Sequence, residues 1–426
     1  MNLLFNIKKV ARLIIPYSIY HSLFRIKSAI KAKENIKLTI NYSNKLDLIK
    51  RKDKIVLVFI IYMPEVFSSF QTIYESAVEN EKFIAYIVAQ PHISNQQGVQ
   101  GQNPAFEYLK TIYLNVINAY ENRKWFDLKS LKPDYVFYTR PYMTHYYSEY
   151  SPKIIRQYAK VCFHQYSYDM DKTADFYEVY NYPFLSNVTF VFNSAPSSAK
   201  RVKKMICGSG VYPQVLCLGF TRFDLIQREM RQTVHHDRKT ILWIPRWTAQ
   251  KKQGKKQGHF FLYMNSFMDF AEAHKDIDFI IRPHPLMFAN FLNLGLCTQE
   301  WIDSFYEKCN DLGNVSIDTD KDYFPSLKQA DIMLADYSAL VVEFFVMGKP
   351  IIYCDDSSTF NEEAKRMDSV LYHAKKWCDI KQKIIDLLAG NDELKIERLQ
   401  EIPVMMQDCD VGKRIINFIE QDYFNR

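Results

Sequence analysis

Several features are scarce in this 426-residue chain. Its eight cysteines, at 162, 207, 217, 297, 309, 354, 378 and 409, form no Cys-x-x-Cys pair. Neither a disulfide scaffold nor a structural zinc site is therefore expected, and the thiols read as reduced. Glycine is low, at 12 residues, and no tract is low in complexity. No repeat of fixed period runs through the chain, which excludes solenoids and propellers. No run of about 18 uncharged apolar residues occurs, so a spanning helix is not expected. The longest apolar run near the start, residues 13–15, has no small-residue cleavage site after it and does not make a secretory signal.

Hydrophobic residues are plentiful at 48% and aromatic ones at 15%. A disordered chain lacks both, so the protein is globular, and its length predicts two or three domains. The net charge of +7 is confined to one end. Residues 1–40 carry eight basic side chains (Lys8, Lys9, Arg12, Arg25, Lys27, Lys31, Lys33, Lys37) against Glu34, and the remainder balances at 47 of each sign. A nucleic-acid binder spreads its basic residues over a folded face, so nucleic acid is not an expected partner. Leu3, Leu4, Phe5, Ile7, Val10, Leu13, Ile14 and Ile15 interleave with the charges. That pattern predicts an amphipathic segment, residues 1–45, lying on an anionic membrane surface, against the alternative of a helix docked on the body.

Beyond it, apolar, β-branched runs alternate with helical stretches. Strands are expected at 54–62, 83–88, 135–138, 160–163 and 189–192, with helices near 66–79, 104–121 and 153–159. A second series places strands at 240–244, 279–281, 315–317, 332–335 and 351–354, with helices near 260–274, 299–309 and 338–347. The alternation predicts two doubly wound α/β domains, 46–230 and 231–405, joined near the polar stretch 227–239, with a C-terminal helix at 406–426. Ligands of such sheets sit at the carboxyl ends of the strands.

Several motifs lie at those ends. The strand ending at Asp336 runs into Tyr337-Ser338-Ala339 and a helix stopped by Gly348 and Pro350. Helix-terminal amides and the Ser338 hydroxyl there suit a pyrophosphate, and Glu343 is the acid in an otherwise apolar helix. Arg282-Pro-His284-Pro follows another strand, offering a guanidinium fork and an imidazole on a stiffened turn. Pro245-Arg246-Trp247-Thr248 follows a third, and the basic run with Lys251 and Lys252 comes next, either as anion ligands or as a solvated loop. Gly219-Phe-Thr-Arg222-Phe-Asp224 precedes the join. No acidic cluster has metal-ligand spacing, so no metal or other cofactor is expected.

Taken in order, Gly219–Asp224, Ile241–Thr248, Ile280–Pro285 and Ala330–Tyr353 resemble the blocks of the CDP-glycerol glycerophosphotransferase family, the teichoic acid primases and polymerases. The resemblance covers about residues 160–356 and implies a GT-B fold, two Rossmann-like domains facing a cleft. It implies that His284 matches the family's His-Pro histidine, and that Arg246, Arg282, Asp336, Tyr337, Ser338, Ala339 and Glu343 surround the CDP-activated donor. Arg222 and Asp224 match the Pro-Arg-x-Asp block. His164, after the strand 160–163, matches the family's His-Gly motif and is the candidate base. This chain departs at Gln165 for glycine, Thr221 for proline, Ala339 for the second serine, and Arg246-Trp-Thr for Thr-Trp-Arg.

The expected function is transfer of a polyol phosphate, glycerol phosphate first, from a CDP-activated donor to a hydroxyl of a membrane-linked glycan or teichoic-acid-like precursor, at the cytoplasmic face of the membrane. The alternatives are a GT-B glycosyltransferase using a nucleotide sugar in capsule or lipopolysaccharide synthesis, and a non-catalytic glycan-binding scaffold.

Overall fold

The computed structural model describes residues 17–91, 93–94, 98–99, 103–171, 184–207, 214–231, 237–249, 258–406 and 410–425. The chain divides into two compact units: residues 1–166, 173–218 and 411–426 form one, and residues 167–172 and 219–410 the other.

Unit 1 is a seven-stranded parallel sheet. In chain order its strands are β1 (Ile55–Ile61), β2 (Phe83–Ala89), β3 (Val116–Asn118), β4 (Tyr135–Tyr138), β5 (Lys160–His164), β6 (Phe190–Asn193) and β7 (Gln214–Cys217), arranged β7-β6-β5-β4-β1-β2-β3. Every residue of β1 is buried. Ile55, Leu57, Phe59 and Ile61 pack into one apolar layer and Val58 and Ile60 into the opposite one, which is why the run shows no polar alternation.

The helix Tyr17–Asp47 lies against this unit. Arg156 donates to the Asn35 carbonyl and to Thr39 Oγ1, each at 2.7 Å, and Thr39 Oγ1 donates to the Ser186 carbonyl at 2.9 Å. The docked face contains Ala32, Thr39 and Ser43, while Ile30, Lys33, Lys37 and Leu38 are exposed. Residues 30–47 thus belong to unit 1, whereas the apolar residues at 3–15 lie outside the described residues. Among the described residues no helix is long and apolar enough to cross a membrane.

Unit 2 is a six-stranded parallel sheet: β8 (Lys239–Ile244), β9 (Ile277–Ile281), β10 (Val315–Ile317), β11 (Ile332–Ala335), β12 (Ile351–Tyr353) and β13 (Tyr372–His373), ordered β10-β9-β8-β11-β12-β13. The register sets Ile281 beside Trp243 and Ala335 beside Ile244. Arg282, Pro245 and Asp336 therefore leave the sheet along one edge.

The units meet in sequence at Leu218–Gly219 rather than within 227–239. The helix Thr221–Met230 goes with unit 2 because Arg222 is committed to Glu343 there, at 2.9 Å. The helix Val411–Phe424 is not a separate appendage. It packs across the helix Gln71–Val78 of unit 1, where a Cβ on Gly412 would stand 2.5 Å from the Thr72 carbonyl, so only glycine permits the approach. Asp422 adds an ion pair with Lys160 at 2.9 Å, and the Tyr423 hydroxyl accepts from the Lys52 amide at 2.8 Å.

The helix expected over 104–121 ends at Leu109, and the chain turns at Asn115, φ 57°, into β3. The left-handed conformation, which asparagine tolerates better than most residues, breaks the helix and starts the edge strand.

Candidate active site

At the carboxyl edge of unit 2, Asp336 is the hub. Its buried carboxylate accepts from the Arg246 amide at 3.0 Å, from the His259 amide at 3.1 Å and from His259 Nδ1 at 2.6 Å. This ties the segment after β8 to the start of the helix Phe260–Ala273. Gly258 makes the closure possible: its amide donates to the Thr248 carbonyl at 2.7 Å, and a Cβ there would stand 2.1 Å from that oxygen. Burial works against a charged His259, but the hydrogen bond and charge of Asp336, with Asp355 behind it, outweigh burial and raise the imidazole above its ordinary range. His259 was invisible in the sequence, because neither a strand nor a motif precedes it.

Arg246 lies over the Tyr337 ring at 5.1 Å, donates to the Tyr337 carbonyl at 3.0 Å and to Thr248 Oγ1 at 3.2 Å. Tyr337, Ser338 and Ala339 are half-buried at the mouth of this cluster. Ser338 Oγ accepts from the Leu340 amide at 3.3 Å, which leaves its hydroxyl hydrogen able to donate. The helix that follows, Leu340–Val346, has seven residues.

His284 is exposed on its proline-flanked turn. Its Nδ1 accepts from the Leu286 amide at 3.1 Å, so in the neutral ring Nε2 carries the hydrogen. Asn290 holds the turn beside the 245–248 segment by donating to the Trp247 carbonyl at 2.9 Å, with the Trp247 and His284 rings 6.2 Å apart. His284 is thus a positioned hydrogen-bond donor at the edge of the sheet.

Other sequence-derived candidates lie deeper. Arg282 pairs with Asp318 at 2.5 Å and donates to the Asp320 carbonyl at 2.7 Å, which fixes the ends of β9 and β10 and occupies much of its fork. Glu343 is fully buried: Arg222 pairs with one oxygen at 2.9 Å and the Tyr323 hydroxyl donates to the other at 2.7 Å. Burial raises the Glu343 carboxyl above its ordinary range, while Arg222 and Tyr323 pull it back. The pair braces the helix Thr221–Met230 against the helix Leu340–Val346. Asp224 sits in the first turn of its helix, where a negative charge suits the macrodipole. Lys251 and Lys252 lie outside the described residues. Among the described residues no group of three His, Cys, Asp or Glu side chains is placed to hold a metal ion.

In unit 1, His164 ends β5 and is 1% exposed. Burial lowers its pKa to about 4, so the ring is neutral at physiological pH and a weaker base than a free imidazole.

A family model for CDP-glycerol:poly(glycerophosphate) glycerophosphotransferases matches residues 187–420, more than half of the chain. The chain belongs to that glycerophosphotransferase family. No curated protein sequence matches it. Among solved structures, the wall teichoic acid polymerase TagF is similar at 12% identity and a TM-score of 0.54, over 94% of this chain and 98% of that one. UDP-GlcNAc 2-epimerase from Neisseria meningitidis bound to UDP-GlcNAc is similar at 14% identity and a TM-score of 0.56, over 86% and 100%. The MnaA–UDP structure from S. aureus aligns at 12% identity and a TM-score of 0.57, over 87% and 98%. These likenesses establish the GT-B class of fold. Within the family match fall the clasp of Arg246, His259 and Asp336, the His284 turn and the Arg222–Glu343 brace.

Proposed function

We propose that this glycerophosphotransferase moves glycerol phosphate from CDP-glycerol to a hydroxyl of a membrane-linked, teichoic-acid-like acceptor, with the donor held by unit 2 and the acceptor by unit 1. The observation that carries the reading is the carboxyl edge of unit 2 within the family match: an exposed His284 with its Nδ1 already occupied, on the same sheet edge as the half-buried Tyr337 and Ser338. Hydrogen-bond donors converging on one sheet edge suit the oxygens of a diphosphate. The acceptor oxygen attacks the glycerol-bearing phosphorus, the bond from that phosphorus to the bridging oxygen breaks, and cytidine monophosphate leaves with that oxygen. The acceptor hydroxyl gives up its proton in this step to a base, the role for which His164 is the candidate on unit 1. His284 and Ser338 donate to the departing phosphate, while Asp336 and His259 act as positioning residues for Arg246 and Tyr337. The basic N-terminal segment and the exposed Lys33, Lys37 and Leu38 support peripheral attachment to an anionic membrane.

Calorimetric titration with CDP-glycerol, CDP-ribitol, CDP and a panel of UDP-sugars tests the donor, repeated on His284→Ala and Ser338→Ala. Binding confined to CDP compounds and weakened by both substitutions is the expected result. Preference for a UDP-sugar would overturn it in favour of glycosyl transfer. For the membrane, a truncate beginning near Ile30, which keeps the helix turns bonded to Arg156 and Ser186, is expected to lose sedimentation with vesicles, and one that still pellets would refute the attachment.

A further inference from the structure

The carboxyl edge of the unit 1 sheet carries a second built feature, in the loop that follows β4. Arg140 is stacked among three tyrosines, its guanidinium carbon 4.9 Å from the Tyr166 ring centre, 5.0 Å from Tyr142 and 5.6 Å from Tyr62. One of its amino groups points to the Met63 sulfur at 2.7 Å, a weak acceptor, and the side chain also hydrogen-bonds Tyr142. Its Nε is buried with no hydrogen-bond partner. The guanidinium groups of Arg222, Arg282 and Arg398 each meet a carboxylate. Among the described residues Arg140 meets none.

This cation is held rigidly. The Tyr146 hydroxyl donates to the Arg140 carbonyl at 2.8 Å. Beside it the Tyr62 hydroxyl bonds His145 Nδ1 at 2.8 Å, and Gln90 donates to the His145 carbonyl at 2.7 Å. With Tyr62 donating to Nδ1, His145 keeps its hydrogen on Nε2. Tyr142, His145 and Tyr166 are half-buried, so the cluster is open on one side. Parallel pairing sets Tyr138 beside Phe163, so Arg140 and His164 leave the sheet on neighbouring strands. A desolvated guanidinium whose Nε–H has no partner, set among aromatic rings, is built for an oxyanion.

We propose that Arg140, with Tyr142 and His145, is the receptor for a phosphate group of the acceptor, a phosphodiester of its polyol phosphate chain or the diphosphate of its lipid linkage. The proposal rests on the reading that unit 1 takes the acceptor. It makes the acceptor's charge, as well as its hydroxyl, part of what is recognised beside His164.

The test is calorimetric titration of the full chain with three probes: a synthetic glycerol phosphate dimer, a short-chain alkyl diphosphate and CDP-glycerol. Arg140→Ala is expected to weaken the dimer, the diphosphate or both by about tenfold or more, and Arg140→Lys to recover part of the loss. CDP-glycerol binding, which reports on unit 2, should stay at the wild-type level, and wild-type hydrogen-exchange protection of the β4 and β5 amides shows that unit 1 of the variants is folded. The anionic probe that loses affinity identifies which phosphate is read. Wild-type affinity of Arg140→Ala for both anionic probes overturns the receptor, as does absence of their binding to wild type, and neither result touches the donor reading. Failure of CDP-glycerol to bind wild type would sink the donor reading, while Arg140-dependent binding of the dimer would still stand.

Discussion

His164 has a pH signature that can be worked out from its burial. Its pKa falls from 6.5 to about 4 on folding. Between these values the unfolded chain binds a proton that the folded chain refuses, so stability falls as the pH drops. At about 1.4 kcal/mol per tenfold change in proton affinity, the loss approaches about 3 kcal/mol near pH 4, with about 2 kcal/mol gone by pH 5. Above about pH 7.5 the group contributes no pH dependence. His164→Gln removes the titration and should flatten this limb. Because a chain of two compact units is not expected to unfold in one two-state step, a single melting curve is a poor readout. Hydrogen exchange of the β4 and β5 amides, corrected for intrinsic rates and followed from pH 7.5 to 4.5, reports opening of unit 1 itself. Wild type should lose about 2 kcal/mol more protection than the variant between pH 7 and 5. Parallel curves would refute the reasoning and show that the imidazole reaches solvent. Loss of glycerophosphate transfer by the variant at every pH would add support for its role as the base.

Three further outcomes follow from unit 2. Arg222→Leu strands a buried carboxylate and should cost unit 2 about 3–5 kcal/mol in urea unfolding, and Arg222→Leu with Glu343→Leu should regain most of it; a double variant as unstable as the single would refute the brace. Gly258→Ala drives a Cβ into the Thr248 carbonyl and should raise the KM for CDP-glycerol by opening the clasp, with unchanged kinetics counting against the clasp's role. His259 gains its raised pKa from Asp336, so Asp336→Asn should lower it in an NMR titration. By the same linkage, the stability His259 contributes in wild type is full below pH 6.5 and disappears as pH rises through the folded pKa.

The strands were legible because double-sided burial writes itself as continuous apolar runs, as in Ile55–Ile61 and Ile332–Ala335. The edge strands β3, β7 and β13 were not, being two to four residues long and partly solvent-facing. Motifs at strand ends fall along one sheet edge, since the chain must leave a parallel sheet there. They did not separate side chains that face outward from those that brace. Ser338 and His284 stand at the surface, whereas Glu343 and Arg222 neutralise each other, a distinction made by packing across more than a hundred residues. His259 and Arg140 went unnoticed for the same reason. Partners of each come from other strands, Asp336 for the first and Tyr62 and Tyr166 for the second, although the dense aromatic run Tyr138–Tyr147 from the end of β4 is a signal for the second.

The return of Val411–Phe424 to unit 1 sets an order of assembly. Unit 2 is encoded within the span that unit 1 encloses, so a growing polypeptide completes residues 219–410 before the last helix of unit 1 is made. Until then Thr72 and Lys160 lack Gly412 and Asp422, and the apolar layer that Ile415, Ile416 and Ile419 close stays open to water. During synthesis, therefore, unit 2 is the first unit able to reach its final state, and unit 1 waits with an exposed apolar face for chaperones to shield. A released chain ending at residue 410 should resist protease in unit 2 while remaining cleavable in unit 1.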